Sequence, residues 1–336
     1  MGNFMPVGSV LLFGDLNVDN ILSVPEIPTA GHDAYASRVE THLGGAVCNS
    51  SVVFQKLHQS TRMLGAIGQD HWGDFVLHEL QRAGVDTRYI VRKAKQGTGL
   101  IFIAVIPNGE RTMFSYRGAN TILDPQDVPE NILDGVSLVQ LSGYIFISPI
   151  QCQTAFHLIE MASARGIPVS LDTGLDPLQR EPKIFYKILP RLALCITGEE
   201  EASLLTGKDN LKEQAAALLA QGMKLVAIKL GSRGAYLAWP HGDLLLPGYQ
   251  VEVKDTTGAG DAFSAGLIYG WMRGYSPCAS GALANALGGL STTYYGAAWI
   301  GRDEVLPFLQ AIQHHQPDHP AKCGIQEIIQ RLSMES

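Results

Sequence analysis

The feature that most constrains the fold is an alternation of short apolar runs with longer amphipathic ones along most of the chain. Ser9–Val18, Arg62–Gly68 and Leu225–Leu230 are typical of buried strands, whereas Ala46–His58 and Gln153–Ala164 have the apolar spacing of helices. Strands that alternate with helices pair in parallel through right-handed crossovers, and helices then cover both faces of the sheet. The sequence therefore predicts an α/β fold with a doubly wound, mostly parallel sheet.

One section departs from this alternation. Thr98–Pro107 and Glu110–Arg117 are both strand-like, and Asn108-Gly109 between them is the dipeptide that most favours a tight hairpin turn. A hairpin inserted into an α/β chain should project from the sheet. Together with Asp33–Leu43 it can form a small β-lid over a binding site, although a surface hairpin without a function fits the same pattern.

The domain organisation follows from the length of the chain and from the lack of linkers. No repeat of fixed period and no low-complexity linker interrupts the 336 residues, which favours one α/β domain over two equal ones. We expect this domain to span 1–330, with lid insertions at 31–44 and 97–118 and a tail segment at 314–336. Histidines are frequent in the tail, where we expect a solvated segment rather than a metal site.

The composition excludes several classes of protein. Hydrophobic residues make up 46% of the chain and charged residues 17%, which is enough apolar material for a full core and argues against disorder. The net charge of −7, without a basic run, argues against binding of nucleic acid or of an anionic membrane surface. The five scattered cysteines form no CxxC pair and fit a reducing compartment. We therefore expect a cytoplasmic globular protein.

The stretch Val251–Gly274 carries the most chemical information. A strand-like run ends at Asp255, Thr-Thr-Gly-Ala-Gly-Asp follows at 256–261, and an apolar helix is expected over Ala262–Arg273. A turn of small residues that opens a helix leaves backbone N–H groups unpaired, and these donors and the helix dipole form an anion site. The turn lacks the Gly-Lys-Ser/Thr of a Walker A loop, and Phe263 stands where a dinucleotide fingerprint needs glycine. The pattern predicts a phosphate site of another kind.

Asp261 is the unusual member of this turn. A carboxylate would repel a resting phosphate, but as a general base it could accept a proton from a substrate hydroxyl while the N–H groups of 258–260 stabilise a transferred phosphoryl group. The helix dipole should keep it ionised. The alternative is that Asp261 only caps the helix, and the bare pattern leaves both interpretations open.

Three further stretches place polar side chains or glycines where ligands of open α/β sheets gather, outside the carboxyl ends of strands. Asn17 and Asp19 follow the first strand and alternate onto one face, with side chains that suit sugar hydroxyls. Gly44-Gly45 opens the helix that carries Asn49, and Lys229–Gly234 follows the last long apolar strand. Strand-end capping, tight-turn packing and a simple hairpin turn are the respective alternatives.

In this order the motifs resemble those of the ribokinase-like (PfkB) carbohydrate kinases. The similarity covers about residues 8–312 and rests on GDLNVD at 14–19, GGAVCN at 44–49, IGQDHWG at 67–73, KLGSRGA at 229–235 and DTTGAGDAF at 255–263. The last motif is the signature of the family. The resemblance implies an α/β fold with a β-lid, and a homodimer through the lid, because many members of the family dimerise in this way.

The resemblance also implies roles for individual residues. Asp261 resembles the catalytic base of the family, and Gly258, Ala259 and Gly260 resemble the family's anion hole. The sugar-binding positions match Asn17, Asp19, Gly44, Gly45 and Asn49. The nucleotide-binding positions match Lys229, Gly231, Ser232, Gly234 and Asn285. Asp255 and Thr257 match positions that hold a monovalent cation, such as K⁺, in some members.

The magnesium position departs from the family pattern. The family often carries Asn-x-x-Glu on a helix, linked to magnesium and the phosphates; Glu201 matches the glutamate, but Gly198 stands in place of the asparagine. Thr197 or a water is the candidate substitute. The resemblance thus implies ATP and Mg²⁺ as cofactors, with an altered and indirect magnesium contact.

The substrate class is less constrained. Arg117 partly matches an arginine with which ketodeoxygluconate kinases of the family bind a sugar acid, but the second arginine of that pattern is missing. Lid aromatics such as Phe102 and Phe114 could stack on the base of a nucleoside. We expect ATP-dependent phosphorylation of a hydroxymethyl group on a small neutral sugar or polyol. A nucleoside kinase, a sugar-acid kinase and a catalytically silent sugar-binding regulator are the alternatives.

Overall fold

The computed structural model describes residues 8–297, 299–316 and 318–334 of the chain. Its strands are β1 (Ser9–Phe13), β2 (Asn17–Ser23), β3 (Arg38–Gly44), β4 (Thr61–Gly68), β5 (Asp86–Lys93), β6 (Gly99–Val105), β7 (Arg111–Tyr116), β8 (Val136–Ser142), β9 (Val169–Asp172), β10 (Leu194–Gly198), β11 (Leu225–Lys229), β12 (Ala235–Trp239) and β13 (Gly242–Leu246). Its helices are α1 (Ala46–Lys56), α2 (His71–Arg82), α3 (Pro149–Ala164), α4 (Leu175–Arg180), α5 (Pro182–Ile188), α6 (Glu199–Thr206), α7 (Leu211–Leu219), α8 (Ala259–Met272), α9 (Pro277–Ser291), α10 (Arg302–His315) and α11 (Lys322–Met334). Within the described ranges, none of the helices is long and apolar enough to cross a membrane.

The strands form two sheets, of which the larger carries the body of the molecule. In the described part of the chain this sheet has nine strands in the order β13-β12-β11-β10-β9-β8-β1-β4-β5. The pairs from β11 to β5 are parallel, while β12 and β13 run antiparallel at one edge. The chain winds from β1 to β5 on one side and then crosses to β8 on the other. The predicted doubly wound, mostly parallel sheet is confirmed, and its switch point lies beside β1.

Helices cover both faces of this sheet because alternate residues of a buried strand point to opposite sides. Val10 and Leu12 of β1 pack in a core with α1, α8, α9 and the C-terminal helices, whereas Leu11 and Phe13 pack in a second core with α3, α6 and α7. The carboxyl end of β1 therefore lies between two packed layers, at the place where open α/β sheets bind their ligands.

The smaller sheet is the lid, with the strand order β3-β2-β6-β7. β6 and β7 form an antiparallel hairpin, and Gly109 in its turn has a positive φ of 85°. The predicted hairpin is confirmed. β2 joins the hairpin to β3, which lies within the 31–44 segment, so the lid is one four-stranded unit.

The prediction of a single strand over Ser9–Val18 is wrong. β1 ends at Phe13, and Asn17 opens β2 in the other sheet. The three residues between them carry the chain from the body into the lid. Because this link is short, the start of β2, which carries Asn17 and Asp19, stays close to the carboxyl end of β1.

The region before α8 also differs from the prediction. The run 251–255 is not a strand, because the N–H groups of Lys254 and Asp255 both donate to the Thr292 carbonyl oxygen, at 2.7 and 3.1 Å. α8 begins at Ala259 rather than at residue 262. Asp261 therefore lies in the first turn of the helix and not in the loop before it.

The prediction of a solvated tail over 314–336 is wrong for the part that the structure describes. α11 packs against α9 and α10, and Ile325, Ile328 and Leu332 along one of its faces are fully buried. His319 is also buried and stacks on the Tyr249 ring, with a centroid distance of 5.1 Å. The apolar residues of α11 recur at helical spacing, which is the signal that indicates a packed helix.

Candidate active site

Asp261 lies at the centre of the site, in the first turn of α8 and facing α1. Asn49 of α1 donates a hydrogen bond from Nδ2 to Asp261 Oδ2 at 2.8 Å, and the Ser50 hydroxyl donates to the Asp261 carbonyl oxygen at 3.1 Å. Asn49 and Asp261 are 212 residues apart in the sequence. The glycine turn at 44–49 and the turn at 255–261, two separate motifs in the sequence, are therefore parts of one site.

The protonation of Asp261 differs from the expectation that the helix dipole keeps it ionised. Burial raises the pKa of this carboxyl group to about 7, and the hydrogen bond from Asn49 only partly opposes that effect. The negative charge of Asp172 raises the pKa further, while Lys229 lowers it. The group can therefore gain and lose a proton near neutral pH, which is the property that a general base needs.

The N-terminus of α8 is the place for which the sequence predicts an anion site. Gly258 is the N-cap residue, with a left-handed φ of 75°, and no side chain of the described residues caps this end of the helix. The Ala259 N–H group donates to the Thr256 carbonyl oxygen at 3.3 Å, and the lack of a side-chain cap leaves this helix end open to an anion, which the helix dipole also favours. Gly258, Ala259 and Gly260 lie together at this turn, next to the Asp261 carboxylate.

Lys229 lies beside the same turn, at the end of β11. A Cβ atom added to Gly260 would be 3.4 Å from Lys229 Nζ. The ammonium group donates to Asp172 Oδ1 at 2.8 Å, and the Ser264 hydroxyl donates to Asp172 Oδ2 at 2.6 Å. Burial lowers the pKa of Lys229, but the charges of Asp172 and Glu201 outweigh burial and hold it above its usual value. The amine stays protonated and is positioned toward the anion site.

The sugar-binding candidates face Asp261 from the lid side. Asp19 of β2 lies against Gly44 of β3, where an added Cβ atom would be only 2.0 Å from Asp19 Oδ1. Among the described residues, Asp19 Oδ1 and Asn49 Oδ1 are buried and find no hydrogen-bond partner. Burial raises the pKa of Asp19 to about 6, although His42 partly opposes this. Two buried acceptors without donors suit a ligand that carries hydroxyl groups.

Asn17 and Gly45 hold the frame of this half of the site. Asn17 Oδ1 accepts a hydrogen bond from Asn120 Nδ2 at 2.9 Å, so this side chain is engaged within the protein. Gly45 is the N-cap residue of α1 with a φ of 100°, and an added Cβ atom would be 2.2 Å from the Asp15 carbonyl oxygen. A larger residue cannot occupy this position without moving α1.

A cavity of about 310 Å³ opens beside the N-terminus of α8 and has no lid-strand residue among its lining residues. It lies between the 231–234 loop, the 248–253 segment, α8 and α9, and its walls include the predicted nucleotide-binding residues Lys229, Gly231, Ser232, Gly234 and Asn285. Thr256, Ala259 and Gly260 line the end that meets the anion site. A largely apolar cavity next to the expected anion site fits a nucleotide.

Asn285 shapes this cavity rather than presenting a free amide. Its Nδ2 group donates to the carbonyl oxygens of Leu246 and Pro247 at 3.3 and 3.1 Å. The side chain therefore ties α9 to the chain segment that follows β13.

Glu201 lies at the carboxyl ends of β9 and β10. Its Oε2 atom accepts from the Gly198 N–H group at 2.9 Å and from the Thr173 hydroxyl, which also contacts the Thr197 hydroxyl at 2.9 Å. In the described part of the chain, no group of three or more His, Cys, Asp or Glu residues could hold a metal ion. A carboxylate that neighbouring donors hold in this way fits a contact with magnesium through a water.

Arg117 is placed differently from the prediction that it binds a substrate carboxylate. Its guanidinium group pairs with both carboxylate oxygens of Asp15, at 2.8 and 2.9 Å. It also donates to the Tyr144 carbonyl oxygen at 2.8 Å and to Gln151 Oε1 at 2.7 Å. These contacts tie the base of the lid to the body.

Asp255 and Thr257 do not fit a bound monovalent cation. Asp255 Oδ1 accepts from the Thr257 N–H group at 2.9 Å and from its hydroxyl at 2.7 Å, and Oδ2 accepts from the Gly296 N–H group at 2.9 Å. The Arg111 guanidinium group from the lid also lies 3.4 Å from Oδ1 and donates to the Thr257 hydroxyl. Protein donors thus occupy the positions where a cation was expected.

Two residues of the site were missed in the sequence. Asp172 ends a buried strand, as the residues after β1 do, so the signal that indicated Asn17 and Asp19 was present there as well. Arg111 had no such signal, because only the fold of the lid brings it to the 255–257 turn.

Comparisons with known proteins identify the family of the chain. The family model of the pfkB family carbohydrate kinases matches residues 7–300. A ribokinase of Staphylococcus aureus is 28% identical over 265 residues, which cover 77% of this chain and 84% of that protein. A 5-dehydro-2-deoxygluconokinase of Shouchella clausii is 27% identical over 245 residues, or 70% of this chain and 75% of that protein.

Solved structures share the fold. A ribokinase from Thermotoga maritima superposes with a TM-score of 0.80 at 24% identity, over 90% of this chain and 99% of that chain. An Escherichia coli protein solved with ATP and Mg²⁺ superposes with a TM-score of 0.83 at 23% identity, over 91% of this chain and all of that chain. With the family model matched along most of its length, the chain belongs to the pfkB family of carbohydrate kinases and is a sugar kinase.

Proposed function

We propose that the protein transfers the γ-phosphoryl group of ATP to a hydroxymethyl group of a small neutral sugar or polyol, with Asp261 as the general base. One observation carries the proposal: Asp261 lies between two buried acceptors without donors, on Asp19 and Asn49, and an uncapped helix N-terminus. A hydroxyl-bearing substrate fits the first and a phosphoryl group fits the second.

Asp261 would accept the proton of the substrate hydroxyl as that oxygen attacks the γ-phosphorus. The new O–P bond forms while the bond from phosphorus to the bridging oxygen of ADP breaks, and the proton remains on Asp261 until it is released to water. The pKa of about 7 supports this role, because the carboxylate is available and still basic enough to take the proton. Asn49 holds Oδ2, so the carboxylate keeps one orientation.

The charge of the transferred group would be stabilised from two sides. The N–H groups of 258–260 are fixed by the left-handed Gly258 and the helix that follows, and Lys229 is held by Asp172. Such donors are effective because they are oriented before the reaction begins. Magnesium bound with ATP would neutralise part of the phosphate charge, and Glu201 would hold the ion indirectly, through water.

The contacts of the lid favour a neutral substrate. Arg117, the candidate partner of a substrate carboxylate, is engaged with Asp15, so a sugar acid would find no free guanidinium group there. Phe102 pairs with Asn20 and with Phe114, which places both aromatic rings on the lid face opposite to Asp19. They are therefore not placed to stack on a nucleoside base above Asp261.

That opposite face of the lid supports the expected homodimer. Val39, Phe102, Phe114 and Tyr116 share it and are exposed by 61%, 43%, 64% and 46%. Apolar side chains grouped on one sheet face are typical of an interaction surface, and a second copy of the chain presents the same apolar face. Sedimentation velocity should show a dimer that Phe114→Glu converts to a monomer; a monomeric wild type contradicts this part of the proposal. Because the reaction consumes ATP, we also propose that the protein acts in the cytoplasm.

The decisive experiment measures ADP release with ATP and magnesium over a panel of neutral sugars, polyols, sugar acids and nucleosides. We expect release with a neutral sugar or polyol and a loss in Asp261→Asn of about a hundredfold or more. Asp303→Asn is the matched control, because Asp303 is also an acidic residue in the first turn of a helix, but it is exposed and does not line the nucleotide cavity. It should leave the rate unchanged.

The same panel separates the alternatives. Release of ADP only with a sugar acid or a nucleoside would contradict the proposed substrate class but would still support a kinase. A panel member that raises the melting temperature without ADP release would support the silent sugar-binding regulator and contradict the proposed reaction.

A further inference from the structure

Arg111 joins the lid to the turn that precedes the anion site. It is the first residue of β7, and its guanidinium group contacts three consecutive residues of that turn. It lies 3.4 Å from Asp255 Oδ1, donates to Thr256 Oγ1 at 2.9 Å and donates to Thr257 Oγ1. Residue 258, where the anion site begins, follows directly.

The charges at this turn are balanced within the protein. Asp255 accepts hydrogen bonds on both of its oxygens from Thr257 and Gly296, and the Arg111 guanidinium group lies 3.4 Å from its Oδ1 atom. Donors arranged in this way favour the charged form of a carboxylate. The facing positive charge comes from Arg111, whose planar group can serve several acceptors at once.

We propose that Arg111 is a positioning residue that supplies the positive charge of the 255–257 turn in place of a bound monovalent cation. The inference rests on the proposed phosphoryl transfer at Asp261. Because Arg111 belongs to the lid, it delivers this charge only when the lid lies over the site. Closure of the lid and ordering of the anion site are then one event.

The proposal leads to a specific response to salts. The wild-type enzyme should be indifferent to the cation of the buffer, whereas an enzyme without Arg111 should need one. The size of such a coupling is usually fivefold to about a hundredfold, so a tenfold effect is the expected scale.

The test compares wild type, Arg111→Ala and Arg111→Lys at constant ionic strength in KCl and in tetramethylammonium chloride. Arg38→Ala is the matched control, because Arg38 is a lid arginine whose partner is Glu40 on the same strand. ADP release, the ATP dissociation constant by calorimetry and the melting temperature are measured in both salts. The last two need no turnover, so a wrong substrate or a failed kinase proposal does not hide the answer.

For wild type and for Arg38→Ala, we expect the rate of ADP release and the ATP dissociation constant to change by less than about twofold between the two salts. Arg111→Ala should lose about tenfold in rate and ATP affinity in tetramethylammonium and regain most of both in K⁺. Arg111→Lys should lie between the two, because its ammonium group keeps the charge but lacks the planar fork with which the guanidinium group reaches the three residues. Several-fold activation of the wild type by K⁺ overturns the proposal, and so does an Arg111→Ala loss that K⁺ does not restore. The wild-type result applies even if the alanine variant does not fold.

Discussion

The two halves of the site meet at Asp261 but are built by different means. In the phosphate half, formed by Lys229, Asp172 and the 255–261 turn, the charged groups already satisfy one another through hydrogen bonds. In the sugar half, formed by Asp19, Gly44 and Asn49, two buried oxygens have no donor among the described residues.

This difference separates catalysis from recognition. A phosphate half whose groups hold one another is oriented without a ligand, which is the condition for stabilising a transition state. A sugar half with unpartnered acceptors gains most from a ligand that supplies hydroxyl groups, and it rejects an analogue that lacks them. On the proposed reaction, the groups that act on the phosphate would thus lie mainly in the body, with Arg111 reaching them from the lid, and the choice of substrate would belong to the lid and to the turn beneath it.

The largest effect is expected from two separate glycine-to-alanine variants, one in the sugar half and one in the nucleotide cavity, each of which adds one methyl group. Gly44→Ala would place a Cβ atom 2.0 Å from Asp19 Oδ1 and should raise the KM for the sugar by about 10- to 100-fold. Gly289→Ala, whose Cβ atom would meet no protein atom within 4 Å and which lines the nucleotide cavity, should raise the KM for ATP by less than about tenfold. Steady-state kinetics with both substrates varied measures the two values.

The test depends on each variant changing one constant only. If Gly44→Ala raised the KM for ATP as strongly as that for the sugar, the two halves would not be independent.

A smaller effect, of about tenfold per pH unit, should come from protonation of Asp261. Its pKa is raised to about 7, and the base must be free of its proton, so kcat should fall as the pH drops below 7 and level off above it. Asp19, with a pKa of about 6, should affect the sugar half alone, so the KM for the sugar should rise below pH 6 while that for ATP stays constant. A kcat that is flat from pH 5 to 8 would contradict the assignment of Asp261 as the base.

The smallest kinetic effect is expected from the C-terminal helix. Ile328→Ala removes a fully buried side chain and should lower the free energy of unfolding by about 2–5 kcal/mol, measured by denaturant titration. Both KM values should change by less than about twofold, because α11 supports the body without lining either half. Tyr249 lines the nucleotide cavity and stacks on His319, which precedes α11. A rise in the KM for ATP alone would instead show that the packing of the C-terminal segment influences nucleotide binding.

The sequence predicted the rigid half better than the lid half. Small residues before an apolar helix predict an anion site because the local backbone creates it, and the alternation of strands and helices predicts the sheet for the same reason. The pairing of Arg117 with Asp15, and of Arg111 with the 255–257 turn, depends on residues far apart in the chain. The pKa of Asp261 was also beyond reach, since the dipole is a local property and burial is a property of the whole fold.

The nucleotide cavity is lined by residues from 229 to 292 and therefore by none of the lid strands β2, β3, β6 and β7. Of the two sugar acceptors, by contrast, Asp19 belongs to lid strand β2 and Asn49 lies on α1, which follows lid strand β3. We therefore expect nucleotide to enter and leave while the lid stays closed, and the sugar to need an open lid. On the proposed reaction, the sugar would then bind first and its phosphate ester would leave last, with ATP and ADP exchanged in between.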